Sequence, residues 1–139
     1  MDDKGYRLNF EPRREYLLAV CDGRLDAETD RLIDEDIRQE CIQRGFSRVL
    51  IDIRKMQGRL TMLENFQAGA SFGTRLGRIA RRIAIVEQAG EEHLARSRFF
   101  ELVATNRNAF VKFFDSAGEA EEWLSAPLGV TSGEKPVSG

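Results

Sequence analysis

Metal-binding and redox side chains are scarce in this 139-residue chain. It has two cysteines, Cys21 and Cys41, and one histidine, His93. A closed zinc site takes about four nitrogen or sulfur ligands, so no metal is expected. No CxxC pair occurs, and each cysteine sits in an apolar pattern, where thiols act as small hydrophobes. No run of the chain reaches the roughly 18 apolar residues of a membrane span. The start, Met1-Asp2-Asp3-Lys4, is acidic and lacks the apolar stretch of a secretory signal. Together with two unpaired thiols this leads us to expect a cytoplasmic protein. Paired carboxylates, a glycine-rich phosphate loop, a GxSxG elbow and a His-Glu metal motif are all absent as sequence patterns. No cofactor and no catalytic residue are therefore expected.

What is present reads as one domain. Apolar residues make up 42% of the chain, enough for an ordinary core and too many for a disordered chain. Tyr6, Leu8 and Phe10 alternate with polar residues, the period of a half-buried strand. Glu11-Pro12-Arg13-Arg14 interrupts it, and Tyr16 to Cys21 follows as a more buried strand, so a hairpin is expected. Asp26 reads as a helix N-cap, with Glu28 and Asp30 near the positive end of the helix dipole. Ile33, Ile37 and Cys41 mark the apolar face of that helix; Asp34, Glu35, Arg38 and Glu40 mark the polar face, and Gly45 its stop.

Val49 to Ile53, Ile83 to Val86 and Phe110 to Phe114 are short apolar runs of the kind found in buried parallel strands. Residues 54–60 read as a loop. Thr61 and Glu64 form a capping box for a helix over about 61–76. A further helix runs from Glu91 to about Asn106, with Ala95, Phe99, Leu102 and Val103 inward and His93 on the surface. Ser116 and Glu119 suggest a second capping box, opening a helix that turns Ala120, Trp123 and Leu124 inward. The order β-β-α-β-α-β-α-β-α predicts an α/β fold: a mixed, mostly parallel sheet of about five strands flanked by four helices. The alternating first strand belongs at an edge.

Gly23-Arg24-Leu25-Asp26-Ala27, followed by Val49-Leu50-Ile51-Asp52-Ile53, resembles the STAS family (sulfate transporter and anti-sigma-factor antagonist). The second half resembles its SpoIIAA-like branch. There the features are Arg82-Ile83-Ala84-Ile85-Val86, then Phe114-Asp115-Ser116 and Glu119-Ala120-Glu121-Glu122-Trp123-Leu124. That branch is also compared with the CRAL-TRIO/Sec14 lipid-binding fold. The resemblance covers residues 6–125. It implies a single STAS-like domain over 1–126; the remainder, 127–139, is mostly Gly, Ser, Pro and Thr with few large apolar groups and reads as a flexible tail. The resemblance also implies a non-catalytic regulatory module that binds a protein partner or a small anionic or lipid ligand through the second helix and the loop before it. The rival implication is a Sec14-like carrier or sensor of a lipid or hydrophobic small molecule. That needs an internal cavity of several hundred Å³, for which about 120 folded residues leave little room. In anti-sigma-factor antagonists a serine at the start of the second helix is phosphorylated. The matching position is Thr61, although Leu60-Thr61-Met62-Leu63 replaces the family's Asp-Ser-Ser-Gly.

Charge is distributed unevenly behind a net −2. Residues 1–52 carry 9 basic and 13 acidic groups, and residues 87–139 carry 5 and 9. Between them lie Arg54, Lys55, Arg59, Arg75, Arg78, Arg81 and Arg82 against Glu64 alone. Arg54, Lys55 and Arg59 belong at the carboxyl end of a parallel strand, where open α/β sheets bind ligands, and beside a helix N-terminus that attracts anions. Arg75, Arg78, Arg81 and Arg82 belong near the negative end of the same helix. Arg54, Lys55, Arg59, Arg75 and Arg78 are thus the candidate ligand- or partner-binding residues. Nucleic acid is not expected, since the domain is not basic overall and aromatics do not interleave with the arginines. Gly69, Gly73 and Gly77 recur every four residues. Each costs a helix about 1 kcal/mol against alanine, so a close-packing stripe is expected. The alternatives are a lipid groove, a helix that breaks near Gly69 to make Phe72 and Leu76 a lid, or a dimer contact. A homodimer could form through that stripe or the free edge strand.

Overall fold

The computed structural model describes residues 5–88, 90–105 and 109–126. The expected tail at 127–139 and the side chain of His93 lie outside these. Five strands, β1 (Tyr6–Pro12), β2 (Leu17–Arg24), β3 (Arg48–Gln57), β4 (Arg82–Val86) and β5 (Val111–Phe114), alternate after the hairpin with four helices. These are α1 (Ala27–Arg44), α2 (Met62–Arg75), α3 (Glu91–Thr105) and α4 (Ala117–Ser125). A 3-10 turn, Leu76–Arg78, extends α2. The sheet order is β1-β2-β3-β4-β5, with β1 antiparallel to β2 and every other pair parallel. The mixed sheet and the edge position of β1 agree with the sequence reading.

Because strand side chains alternate in direction, each central strand serves two cores. Leu17, Ala19, Val49, Ile51, Ile83 and Ile85 face α1, α2 and α3, meeting Ile33, Ile37, Cys41, Phe72 and Phe100. Leu50, Ala84 and Val86 face the opposite way, onto Ala120, Trp123 and Leu124 of α4, with Tyr16 beside them. Three helices therefore cover one face, and α4 alone covers the other.

Local chemistry sets the ends. The Asp26 carboxylate accepts from the Thr29 amide at 2.8 Å, and Gly45 closes α1 at φ 75°. Thr61 and Glu64 make both bonds of the capping box, at 3.1 and 2.9 Å. Ser116 caps α4 by accepting from the Glu119 amide at 3.3 Å.

Four expectations are corrected. Residues 54–57 are not loop: β3 runs on to Gln57 because β2 also runs on, pairing Asp22, Gly23 and Arg24 with Lys55, Met56 and Gln57 after a bulge. α2 is unbroken through Gly69 and Gly73, and Phe72 and Leu76 are buried rather than lid-like. α3 presents Ser97, Phe100, Val103 and Ala104 to the interior, while Leu102 is 57% exposed. Apolar residues lie nearly all round α3, so its period left the face undecided. Phe100, edge-on to both Phe72 (5.2 Å) and Phe113 (5.5 Å), decides it. Finally, Arg82 is fully buried and does not serve the α2 dipole. It shares the strand face of Ala84 and Val86, and it donates to the carbonyls of Trp123 (2.7 Å) and Ala126 (2.6 Å). It thereby satisfies the end of α4, where Arg48 also donates to Leu124 O at 2.6 Å.

Candidate functional site

The carboxyl ends of β3, β4 and β5, the helices α1, α2 and α3, and the segment joining β3 to α2 enclose a partly open cavity of about 410 Å³. This volume corrects the expectation drawn from chain length. Three helices span one face of the sheet, and residues of all three line the space beside the strand ends. Leu25 N–H donates to Gln57 O at 2.7 Å, which ties the turn after β2 to the end of β3 at the rim. Asn65, buried at the start of α2, donates to the carbonyls of Leu60 (3.2 Å) and Thr61 (3.0 Å) and holds the connecting segment against the helix.

The floor is apolar: Ile51, Ile53 and Met56 from β3, Ile85 from β4 and Phe113 from β5. Phe72 and Phe100 form the back. The polar groups stand on three sides. Asp30 and Asp34 project from α1, Arg59 from the segment before α2, and Glu87, Arg96 and Ser97 from the β4–α3 region. Ser97 Oγ lies 2.8 and 2.7 Å from the two carboxylate oxygens of Glu87. Burial pushes the Asp30 carboxyl up to about 7. Burial raises Asp34 well above the carboxylate range, the neighbouring charge of Asp30 adds to this, and Arg75 opposes it.

The basic residues divide among separate places. Arg54 is bound to its own strand: its guanidinium donates to both Asp52 oxygens, at 3.0 and 2.8 Å. Burial pushes Asp52 up, and its bonds to Arg54 more than reverse this, leaving it below its ordinary value. Lys55 is exposed beside Arg54 on β3. Of the five, only Arg59 lines the cavity. Arg75 lies at the other end of α2, about 21 Å away for a 14-residue helix, and donates to Glu35 Oε1 at 2.6 Å. Arg78 follows it, exposed, in the 3-10 turn. No single basic surface unites all five.

A second feature lies outside the cavity. Met62 (48% exposed), Leu63 (65%) and Phe66 (42%) form an apolar strip on the first turns of α2. Leu94 and Leu102 are exposed on α3, and the rings of Phe66 and Phe99 stand 6.4 Å apart across the two helices. The glycines continue the line of Met62 and Phe66 along the helix into the contact with α3, Gly77 lying in the 3-10 turn. A Cβ at Gly69 would come within 3.2 Å of Val103, and one at Gly77 within 2.6 Å of Ala109. Both cysteines are core residues, with burial pushing the Cys21 thiol up to about 12 and the Cys41 thiol to about 11.

Sequence reasoning placed Asp34 on a solvated face and Asp30 at a helix dipole, and so missed both as cavity residues. The signal was there. Positions 30, 33, 34, 37 and 41 form one stripe, so the apolar face of Ile33, Ile37 and Cys41 continues, one turn earlier, into two carboxylates. Glu87 directly follows β4, at the strand end where such sheets bind ligands, a signal left unused; Arg96 and Ser97 had none, because they reach the cavity only through the packing of α3.

Among the described residues, no helix is long and apolar enough to cross a membrane, and no group of three or more metal-ligating side chains occurs. No curated protein matches the chain significantly. Among solved structures, it is similar to an uncharacterised protein with a SpoIIAA-like fold from Shewanella loihica PV-4. That match has 24% identity and a TM-score of 0.56, and it covers 86% of this chain and 93% of the other. It is also similar to an anti-sigma factor antagonist from Mycobacterium paratuberculosis, with 12% identity and a TM-score of 0.59, covering 90% and 98%. At these identities the likeness shows the fold. The family model described as SpoIIAA-like matches residues 18–125, nearly the whole of the folded part, and the chain belongs to the SpoIIAA-like family.

Proposed function

We propose that this protein is a non-catalytic regulatory module that binds a protein partner through the first turns of α2 and the segment before it. The observation that carries this is the strip of Met62, Leu63 and Phe66, three large apolar side chains left in solvent at the start of one helix. Isolated exposed apolar residues are ordinary, whereas grouped ones mark contact sites. The similarity to an anti-sigma factor antagonist supports a partner-binding role. Arg54, Lys55 and Arg59 shortly precede the strip in the chain, and such a run would favour an acidic partner surface. Arg75 and Arg78, a helix length away, are dispensable in this reading. A phosphate on Thr61 would place about two negative charges at the helix N-terminus and remove the hydroxyl from its bond with the Glu64 amide. It would act as a switch on this same surface.

The test is affinity capture with purified protein, comparing wild type with Leu63→Asp/Phe66→Asp and with Arg54→Glu/Arg59→Glu. A partner retained by wild type and by Arg75→Glu, but lost with both double variants, is the expected result. A partner captured equally by all four excludes this surface.

The cavity favours a second reading, a carrier or sensor of a lipid or hydrophobic small molecule. Its 410 Å³ and apolar floor fall within the range of small-molecule sites. Native mass spectrometry of the purified protein should then show a co-purified ligand of a few hundred daltons.

A further inference from the structure

The cavity has an acidic wall on the α1 side. Asp30 and Asp34 are one helical turn apart on α1, so their side chains stand on one face. Both line the cavity. Neither side chain makes a hydrogen bond or ion pair with any described residue. Two carboxyl groups beside an apolar floor, with no donor pointed at them, are costly to keep ionised. Elsewhere this protein answers such groups: Asp26 accepts from Thr29, Asp52 is held by Arg54, and Glu101 accepts from the Phe113 amide at 2.7 Å. At the cavity wall, by contrast, a pair is left open toward empty volume.

We propose that the cavity takes a small amphipathic cation, whose apolar body lies on Ile51, Ile85 and Phe113 and whose protonated amine sits between Asp30 and Asp34. This rests on the ligand-binding reading of the cavity and specifies the charge of what binds. The ammonium would supply the counter-ion and donors that the two carboxylates lack, a charge-assisted arrangement stronger than neutral hydrogen bonds. An anionic amphiphile in the same pose would meet two like charges.

Binding is then linked to pH. Burial favours the neutral acids in the empty cavity, and a cation favours the ionised ones. Its affinity therefore rises as pH rises through neutrality, releasing protons on binding, while that of a carboxylate ligand falls. The other groups facing this wall are Cys21 from β2, Arg75 from α2, Arg59, Glu87 beyond the end of β4, Arg96 from α3, and Arg31 and Glu35 on α1 itself. Cys21 stays a thiol. Glu87 is the other carboxylate within the cavity, so substitution must assign the effect.

The experiment titrates the full chain calorimetrically with octylamine, octanol and octanoate, probes with one tail and three headgroups. At about pH 8 octylamine should bind at least about tenfold tighter than octanol, and octanoate weakest. The amine-to-alcohol ratio should shrink several-fold at about pH 5, where the carboxyls are protonated. Asp30→Asn/Asp34→Asn should bring that ratio close to one at both pH values. Octanol or octanoate binding as tightly as octylamine overturns the cation assignment and leaves the cavity reading standing. A preference unchanged in the double variant also overturns the assignment. Absence of binding by all three overturns both readings. Should the double variant not fold, the pH dependence of the wild-type ratio decides, and a flat ratio is negative.

Discussion

Single side chains carry much of the structure's electrostatic logic. Arg82 is a fully buried cation held over Trp123, 5.6 Å from the ring centroid, with its guanidinium on the last carbonyls of α4. Removing it would orphan those carbonyls and empty a large volume. Arg82→Ala should lower stability by about 3 kcal/mol in urea denaturation, and Arg48→Ala, which is partly exposed, by about 1 kcal/mol. Equal losses would show that solvent can replace the buried arginine. Asp30 makes a prediction of opposite sign to the usual carboxylate. Its folded-state value, about 7, lies above the ordinary 3.8. The folded state therefore holds the proton longer than the unfolded state as pH rises. The contribution is full below about pH 4 and is lost as pH rises through about 7. Asp30→Asn should therefore stabilise the protein at about pH 8 relative to wild type and change it little at about pH 4. Urea midpoints of the two proteins across that range would check this, and a constant offset would contradict it.

At the scale of elements, α2 serves two neighbours with two faces. One side of the helix is close-packed and the other is open to solvent. Gly77→Ala would put a Cβ 2.6 Å from that of Ala109, a contact that forces the backbone after α3 to move. A cost of about 1–3 kcal/mol is expected. At Gly69, 3.2 Å from Val103, the gain in helix propensity of about 1 kcal/mol offsets part of the strain, so Gly69→Ala should cost less. Thermal melts of the two variants would rank them, and the reverse order would locate the tight contact at α3 instead. Element identity was legible in the sequence because it is local. Asp26, Gly45 and Thr61 announce their ends, and the β-branched runs announce the strands. The rotation of α3 was not legible, because Phe99 and Phe100 compete for one inward position and only Phe72 and Phe113 choose between them.

Over the whole molecule, the three-plus-one layering decides what is reachable. Cys21 on β2 lies under α1 and Cys41 on that helix's inner face, both within the larger core. With both thiols buried and held protonated, a disulfide-exchange reagent at neutral pH should label neither in the native protein and both after denaturation. Rapid labelling of either thiol would mean that α1 opens locally without global unfolding. On the three-helix side, the same layering leaves an open space beside the strand ends. The chain length alone argued against such a space, since it bounds total volume and says nothing of how evenly the helices cover the sheet.

The sequence by itself determined the order of elements, their caps, the mixed sheet and the family. Each of these depends on neighbours in the chain or on periodic patterns within one element. It also showed that near-neutral net charge conceals a basic middle between acidic flanks. Tertiary structure alone decided where those charges go. It buried Arg82 against α4, locked Arg54 onto Asp52, gave Arg75 to Glu35 and left Arg59 at the cavity. It also turned Asp30 and Asp34 from the surface of a helix into the wall of a cavity. The reason is physical: a side chain's charge is local information, but its dielectric surroundings and partners come from elements dozens of residues away.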